Sequence, residues 1–88
     1  MDWKIEFHPS AAKEFKKLDA TAKKRILNFL KERVLASGNP RSLGKALVGA
    51  MGERWRYRVG DFRMVCEIED DRLRVLVLRV AHRRKVYR

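Results

Sequence analysis

Six side chains in the second half of the chain have the chemistry needed to handle a phosphodiester. They are Arg56, Arg58, Arg63, His82, Arg83 and Tyr87. Arginine presents a planar fork of donors that suits phosphate oxygens, whereas histidine and tyrosine can transfer protons. Such a set could cleave RNA without a metal ion. The 2′-hydroxyl would attack the adjacent phosphate, a base and an acid would move protons, and cations would stabilise the developing charge.

Motifs of several other chemistries are missing from the sequence. There is no Walker loop, no GxGxxG stretch and no acidic cluster suited to magnesium. The single cysteine, Cys66, cannot close an internal disulfide, and no spacing of Cys and His suggests zinc. We therefore expect neither a metal nor a cofactor, and we expect Cys66 to be a core residue.

The charge balance favours a polyanionic partner. Lys and Arg total 22 against 11 Asp and Glu, which gives a formal net charge of +11. A field of this sign attracts nucleic acid, and an anionic membrane surface or an acidic protein would also respond to it. A chain of 88 residues has the length of one domain, which we expect to span residues 1–88. Because the chain has no signal peptide and no long apolar run, we expect it to be cytoplasmic and not associated with a membrane.

Periodicity divides the chain into a helical hairpin and a set of strands. Pro9 and Ser10 are predicted to open one helix, with Ser10 as its cap. Asp19 is predicted to cap a second helix, which ends at residues 37–40. Residues 41–53 are predicted to form a loop with about one helical turn. The apolar face of the second helix would carry Ala22, Ile26, Leu27, Leu30 and Val34. Alternation predicts strands at residues 2–8, 54–59, 62–69 and 72–80.

The predicted order of elements is therefore β-α-α-β-β-β. A helical hairpin would pack on one face of a small, mostly antiparallel sheet, which is an α+β fold. The lysines of the hairpin would lie outside, where they could be solvated or could contact a polyanion.

A two-residue turn at Gly60 and Asp61 fixes the pairing of the strands on either side. It sets Arg58 opposite Arg63 and leaves Arg56 on the same face, with no carboxylate directly opposite any of the three. Like charges across strands cost about 0.2–1 kcal/mol each, so a purely structural face would interleave acids, as Glu67 is predicted to do nearby by facing Arg54 and Arg74. The last strand should end beside these arginines, and the tail would then complete a basic site.

The next hairpin is predicted by the same reasoning, with a two-residue turn at residues 70–71. It places Val75 beside Cys66 and Val77 beside Met64, all facing the core. Arg79 would also fall on the core face, so a bulge or strand end is expected near it.

A longer pattern resembles the RelE branch of the RelE/ParE toxin superfamily. It consists of "NPRSLGKALVGAMGERWRYRVGDFRMVCEI", a Val/Leu strand and "VAHRRKVYR", and with the preceding strand and helices it covers essentially the whole chain. The resemblance implies the toxin of a type II toxin–antitoxin pair. Such a toxin enters the ribosomal A site, cuts the mRNA there without a metal, and is held inactive by an acidic antitoxin.

The resemblance also assigns roles to individual positions. Arg56 and Arg58 fall where RelE carries a pair of catalytic lysines, and Arg63 falls on its phosphate-contacting arginine. Arg83 falls on its C-terminal catalytic arginine and Tyr87 on its terminal catalytic tyrosine. Because arginine stays protonated, the proton acceptor must be another group.

The identity of that acceptor and two other functions stay open. His82 is the first candidate for the base and Tyr87 the second, although the tyrosine could instead stack on a nucleobase. One alternative function is a ParE-like gyrase poison. Another is a non-catalytic nucleic-acid-binding module, with operator DNA bound only as a complex with the antitoxin.

Overall fold

In the computed structural model, which describes residues 2–47 and 54–82, two helices cover one face of a five-stranded sheet. The helices are α1 (Pro9–Lys16) and α2 (Ala20–Phe29), with a π-helical continuation (Leu30–Leu35) and a later 3₁₀ turn (Pro40–Ser42). The strands are β1 (Lys4–Phe7), β2 (Lys45–Leu47), β3 (Arg54–Val59), β4 (Phe62–Glu69) and β5 (Arg74–His82).

The sheet order is β1-β5-β4-β3-β2. β1 runs parallel to β5, and the other neighbours are antiparallel. This arrangement confirms the predicted α+β class and the predicted helical hairpin on one face. No helix in the described part of the chain is long and apolar enough to span a membrane.

Both helices begin at capped residues. The Asp19 carboxylate accepts a hydrogen bond from the Ala22 amide at 2.8 Å, which confirms the predicted cap of α2. α1 is capped by His8, whose imidazole Nδ1 accepts from the Ser10 amide at 3.2 Å. The predicted cap, Ser10, lies instead in the first turn of the helix, and its hydroxyl donates to the Leu78 carbonyl at 3.3 Å.

β2 is an element that periodicity did not predict. It lies in the stretch that was expected to be a loop with a helical turn, and its three residues are too few to show alternation. Gly44 precedes it with φ of +76°, and a Cβ atom there would collide with the Arg56 carbonyl oxygen. Glycine therefore lets the chain approach β3 closely enough to add a strand.

The register of the first hairpin agrees with the prediction, but that of the second does not. Arg58 pairs with Arg63, as expected. Val75 lies opposite Ile68 rather than Cys66, and Val77 lies opposite Cys66. Residues 70–73 form a four-residue turn, so β5 begins two positions later than predicted. A shift of two residues preserves the face of each side chain, and both valines remain buried.

The irregularity expected near Arg79 is present. β4 and β5 lose their regular pairing between Val65 and Cys66, because Val65 lies opposite Arg79 while Cys66 lies opposite Val77. Leu78 is thus an extra residue in β5, which is the geometry of a β-bulge. The bulge moves Arg79 off the core face, on which unbroken alternation would have placed it.

The core lies between the helices and the sheet. Its fully buried side chains include Ala11, Ile26, Leu30, Val34, Tyr57, Met64, Cys66, Val75 and Val77. Burial raises the pKa of the Cys66 thiol to about 12, so the predicted core role is confirmed and the thiol is unreactive at neutral pH.

Leu27 departs from the predicted helix face, because it is 36% exposed while the other four residues of that face are buried. It lines an apolar groove of about 300 Å³ beside the edge strand β1. The other residues of the groove are Trp3, Lys4, Ile5, Phe7, Leu30, Lys31 and Leu35.

Tyr57 fastens the 3₁₀ turn to the sheet. Its ring has no exposed surface, and its hydroxyl donates to the Pro40 carbonyl at 2.5 Å. Burial raises the pKa of this phenol, so the group stays a neutral donor. Nearby, the Trp55 indole donates to the Leu43 carbonyl at 2.6 Å. Both bonds hold the chain just ahead of β2 against β3.

We expect Tyr57→Phe to lower the free energy of unfolding by about 1–3 kcal/mol, because a buried carbonyl loses its donor. Urea denaturation measures the change. Ser42→Ala is the matched control, since it removes a hydroxyl that bonds the Asn39 carbonyl at an exposed position of the same turn. Equal, small losses in both variants would contradict the fastening role of Tyr57.

Candidate functional site

Two neighbouring rows of cross-strand partners place arginines on the face of the sheet that the helices leave open. In one row, Arg58 of β3 lies opposite Arg63 of β4. In the next row, Val65 of β4 lies between Arg56 of β3 and Arg79 of β5. Adjacent strands are about 4.8 Å apart, so these two arginines flank the valine across about 10 Å.

These rows form an open concavity of about 200 Å³, here called the arginine cleft. Its lining residues are Leu47, Arg56, Arg63, Val65, Arg79 and Ala81. The floor is apolar and the rim is cationic. An apolar floor lowers the local dielectric, which strengthens the attraction between the rim and an anion.

A second concavity of about 320 Å³ continues from the cleft toward the edge of β3. It is lined by Phe29, Leu43, Gly44, Lys45, Arg56 and Arg58. Arg56 belongs to both concavities and so connects them. A flexible polyanion that contacted both concavities would meet five cations, together with the partly buried ring of Phe29.

Acids neutralise the arginines at the other end of the same sheet. Arg54 pairs with Glu67 at 3.1 Å, the pairing predicted from the first hairpin. Arg74 binds Glu6 at 2.6 Å and Glu69 at 2.7 Å, not Glu67 as the second hairpin had predicted. The hydrogen bonds from Arg74 lower the pKa of Glu69. The stability from this pair is therefore present above the ordinary pKa of 4.5 and is lost as the pH falls below it.

Near the turn at Gly60 the balance is different. Neither Arg56 nor Arg58 has an acidic partner within the described residues. The charges of Arg56 and Arg58 are therefore not neutralised by acids of the described residues, whereas Arg79, on the far side of the cleft, has an acidic partner in Glu14. The opposite end of the sheet is close to neutral. This separation is what an anion-binding face requires.

Arg79 is a cleft residue that sequence reasoning missed. Unbroken alternation would have placed it on the core face, and the bulge that was expected near it, at Leu78, turns it to the open face. The spacing of the valines contains the signal: Val75 and Val77 are two residues apart, whereas Val77 and Val80 are three apart. When the spacing of buried residues along a strand changes from two to three, an extra residue has been inserted, which indicates a β-bulge.

His82 lies apart from the arginines. It pairs with Phe62, and the two rings meet edge to face with centroids 5.1 Å apart. Phe62 packs against the core, so this imidazole is on the helix-bearing side of the sheet. Of the six residues singled out from the sequence, Arg56, Arg58 and Arg63 share one face, and Arg83 and Tyr87 lie outside the described residues.

The site can bind and orient a phosphodiester through fixed positive charges. Within residues 2–47 and 54–82, no three His, Cys, Asp or Glu side chains cluster in a way that could hold a metal ion. The arginines can supply the transition-state stabilisation that phosphoryl chemistry needs, but they cannot accept a proton at neutral pH.

The sequence matches a known family of proteins over nearly its whole length. Residues 5–87 match the family described as ParE toxin of type II toxin–antitoxin system, parDE. The chain belongs to this family of toxins. No curated protein matched the sequence.

Solved structures of RelE toxins are similar to this chain over nearly its whole length. The isolated Escherichia coli RelE toxin is 30% identical, with a TM-score of 0.67, covering 97% of this chain and 90% of that one. The toxin–antitoxin complex RelBE2 of Mycobacterium tuberculosis is 24% identical, with a TM-score of 0.83, covering 94% and 100%. The archaeal RelE–RelB complex of Pyrococcus horikoshii is 20% identical, with a TM-score of 0.73, covering 98% and 100%. These similarities support the RelE branch of the superfamily.

Proposed function

We propose that this toxin is a metal-independent endoribonuclease that cuts mRNA in the ribosomal A site and thereby stops translation. Arg56, Arg58 and Arg63 bind the scissile phosphate and stabilise the charge that develops when the 2′-hydroxyl attacks. Arg83 acts with them from the tail. The remaining task, proton transfer, belongs to a group with a lower pKa than arginine.

The observation that carries this proposal is the arginine cleft together with Arg58, which lies beside it. Arg58 and Arg63 are direct cross-strand partners, an arrangement that costs about 0.2–1 kcal/mol by charge repulsion. A fold that only needed a solvated face could place an acid there, as it does at Arg54 and Glu67. A phosphate bound between the arginines removes the repulsion.

We expect Arg63→Ala to reduce mRNA cleavage on translating ribosomes at least tenfold, because a charged hydrogen bond to phosphate contributes about 1.5–3 kcal/mol. Primer-extension toe-printing measures the new 3′ ends in the A site. Arg72→Ala is the control, since it removes the same charge from the exposed turn at the far end of the sheet. Normal cutting by a folded Arg63→Ala protein, or no cutting by the wild type, would contradict the proposal.

A ParE-like gyrase poison is the second candidate, and the family description that matches residues 5–87 favours it. That activity requires no proton transfer by the tail and leaves mRNA intact. A DNA-cleavage assay with purified gyrase separates the two functions: trapped cleavage complexes without new mRNA ends would favour the gyrase poison.

The position of His82 bears on the choice of proton-transfer group. The His82 ring packs edge-on against Phe62 on the other face of the sheet, away from the arginines, so we favour Tyr87 as the proton-transfer group. We therefore expect Tyr87→Phe to slow single-turnover cleavage about 100- to 10,000-fold. His82→Ala should slow it less than tenfold. The measurement is the single-turnover rate on ribosomes from acidic to alkaline pH. A larger loss in His82→Ala than in Tyr87→Phe would make His82 the base.

An acidic antitoxin is the partner that we propose for the same surface. Four of the similar structures are described as complexes of a RelE toxin with an antitoxin or antitoxin peptide. A domain of net charge +11 with an open cationic face attracts an acidic, partly disordered chain, which can fold as it binds. Covering the cleft would exclude RNA and so inactivate the toxin.

We therefore expect Arg58→Glu to weaken the complex with the cognate antitoxin at least tenfold, as measured by calorimetric titration. Arg72→Glu changes the net charge equally at the far end of the sheet and should have little effect. Similar affinities for the two variants would show that the antitoxin binds elsewhere and leaves the cleft open.

A further inference from the structure

Arg79 is held in a way that none of the roles above explains. Its Nε donates to the two carboxylate oxygens of Glu14 in α1, at 3.0 and 3.3 Å. Glu14 also accepts from the Val80 amide at 2.8 Å. One carboxylate thus fixes both the guanidinium and the backbone that follows it.

The location of this contact follows from the sheet. β1 pairs with β5 only as far as Val77, so among the residues that the structure describes no strand lies beside the edge of β5 beyond that point. α1 takes the place of that strand: Ser10 donates to the Leu78 carbonyl, and Glu14 accepts from the next available amide. The helix therefore stabilises the bulged segment from which Arg79 projects.

The contact uses only one side of the guanidinium. Within the described residues, the two terminal nitrogens of Arg79 have no hydrogen-bond partner, and its side chain is 61% exposed. The residue lines the arginine cleft together with Arg56 and Arg63. An arginine whose Nε is anchored by a carboxylate presents its two terminal nitrogens as a fork suited to phosphate oxygens.

We propose that Arg79 is an additional RNA-phosphate contact of the arginine cleft and that Glu14 is the residue that positions it. This inference rests on the proposed function, because it names a further contact to the same substrate class. Arg79 would bind a phosphate on the β5 side of the cleft, across Val65 from Arg56. Anchoring by Glu14 reduces the side-chain entropy that is lost when the phosphate binds.

Binding can be measured away from the ribosome. The probe is a short fluorescein-labelled single-stranded oligonucleotide with 2′-O-methyl riboses, which 2′-hydroxyl attack cannot cut. Fluorescence anisotropy gives the Kd of the full chain across roughly 50–200 mM salt. We expect Arg79→Ala to raise the Kd about tenfold and to reduce the salt slope by about 0.7, which is one phosphate contact on a single strand.

Two controls separate a phosphate contact from general charge and from misfolding. Arg72→Ala removes the same charge far from the cleft and should change the Kd less than twofold, with the slope nearly unchanged. Arg79→Lys keeps the charge but loses the fork, so its Kd should fall between those of the wild type and Arg79→Ala. Circular dichroism checks that each variant is folded. Equal losses in Arg79→Ala and Arg72→Ala overturn the contact, as does an undetectable affinity of the wild-type protein.

The role of Glu14 is tested by comparing the effect of Arg79→Ala on the Kd in the wild-type protein and in the Glu14→Gln variant. Glu14→Gln retains an acceptor for the Val80 amide but removes the ion pair. If Glu14 positions Arg79, the effect of Arg79→Ala on the Kd becomes smaller in the Glu14→Gln background. An unchanged or larger effect means that Glu14 merely competes with RNA for the arginine, and it overturns the positioning role.

Failure of the Arg79 contact can be distinguished from failure of the proposed nuclease function. Absence of wild-type cleavage on ribosomes would refute the nuclease, and the oligonucleotide comparison could still be read. Conversely, normal cleavage together with an Arg79→Ala Kd equal to that of the wild type would refute this contact alone.

Discussion

The two-residue turn between β3 and β4 is the constraint on which the rest of the structure depends. Gly60 takes φ of +58°, which lets Val59 and Phe62 pair directly across the turn. That register decides the face of every later residue in the hairpin. Tyr57, Val59, Met64 and Cys66 enter the core, and the arginines on the alternate positions face outward. A slip of one residue would bury the arginines and expose the tyrosine, so core stability and the cationic face are set together.

This dependence explains why the first hairpin could be predicted from the sequence and the second could not. Strict alternation in β3, followed by a short Gly-containing turn, leaves one consistent register. The second turn looks equally short, yet it spans residues 70–73, and Leu73 adopts φ of +50°. A leucine in that region is unfavourable and has no signature in the sequence. The bidentate bonds from Arg41 to Asp70, at 2.9 Å each, connect this turn to the distant 3₁₀ segment. Only the tertiary structure reveals that contact.

The candidate site was predictable to the same extent. Arg56, Arg58 and Arg63 share a face because they depend only on the first hairpin. Arg79 joins them through a bulge. The sequence predicts an irregularity near Arg79, but the pairing of β4 with β5 is needed to show that this residue turns to the open face. His82 illustrates the opposite case. Its chemistry and its place in the tail suggested the cleft, whereas its pairing with Phe62 puts it on the other face. The strand register therefore indicates better than closeness in sequence to an arginine whether a residue belongs to the cleft.

The parallel pairing of β1 with β5 has a consequence for synthesis of the chain. It joins residues 4–7 to residues 74–77, so β1 emerges from the ribosome long before the strand that it pairs with exists. Local pairs such as the β3–β4 hairpin close early because little loop entropy is lost, whereas this pair is among the most distant in the domain. A product that stops before β5 would carry Arg56, Arg58 and Arg63 but would lack the central valines of the core. The topology therefore makes a complete cleft available only after nearly all of the domain has been translated.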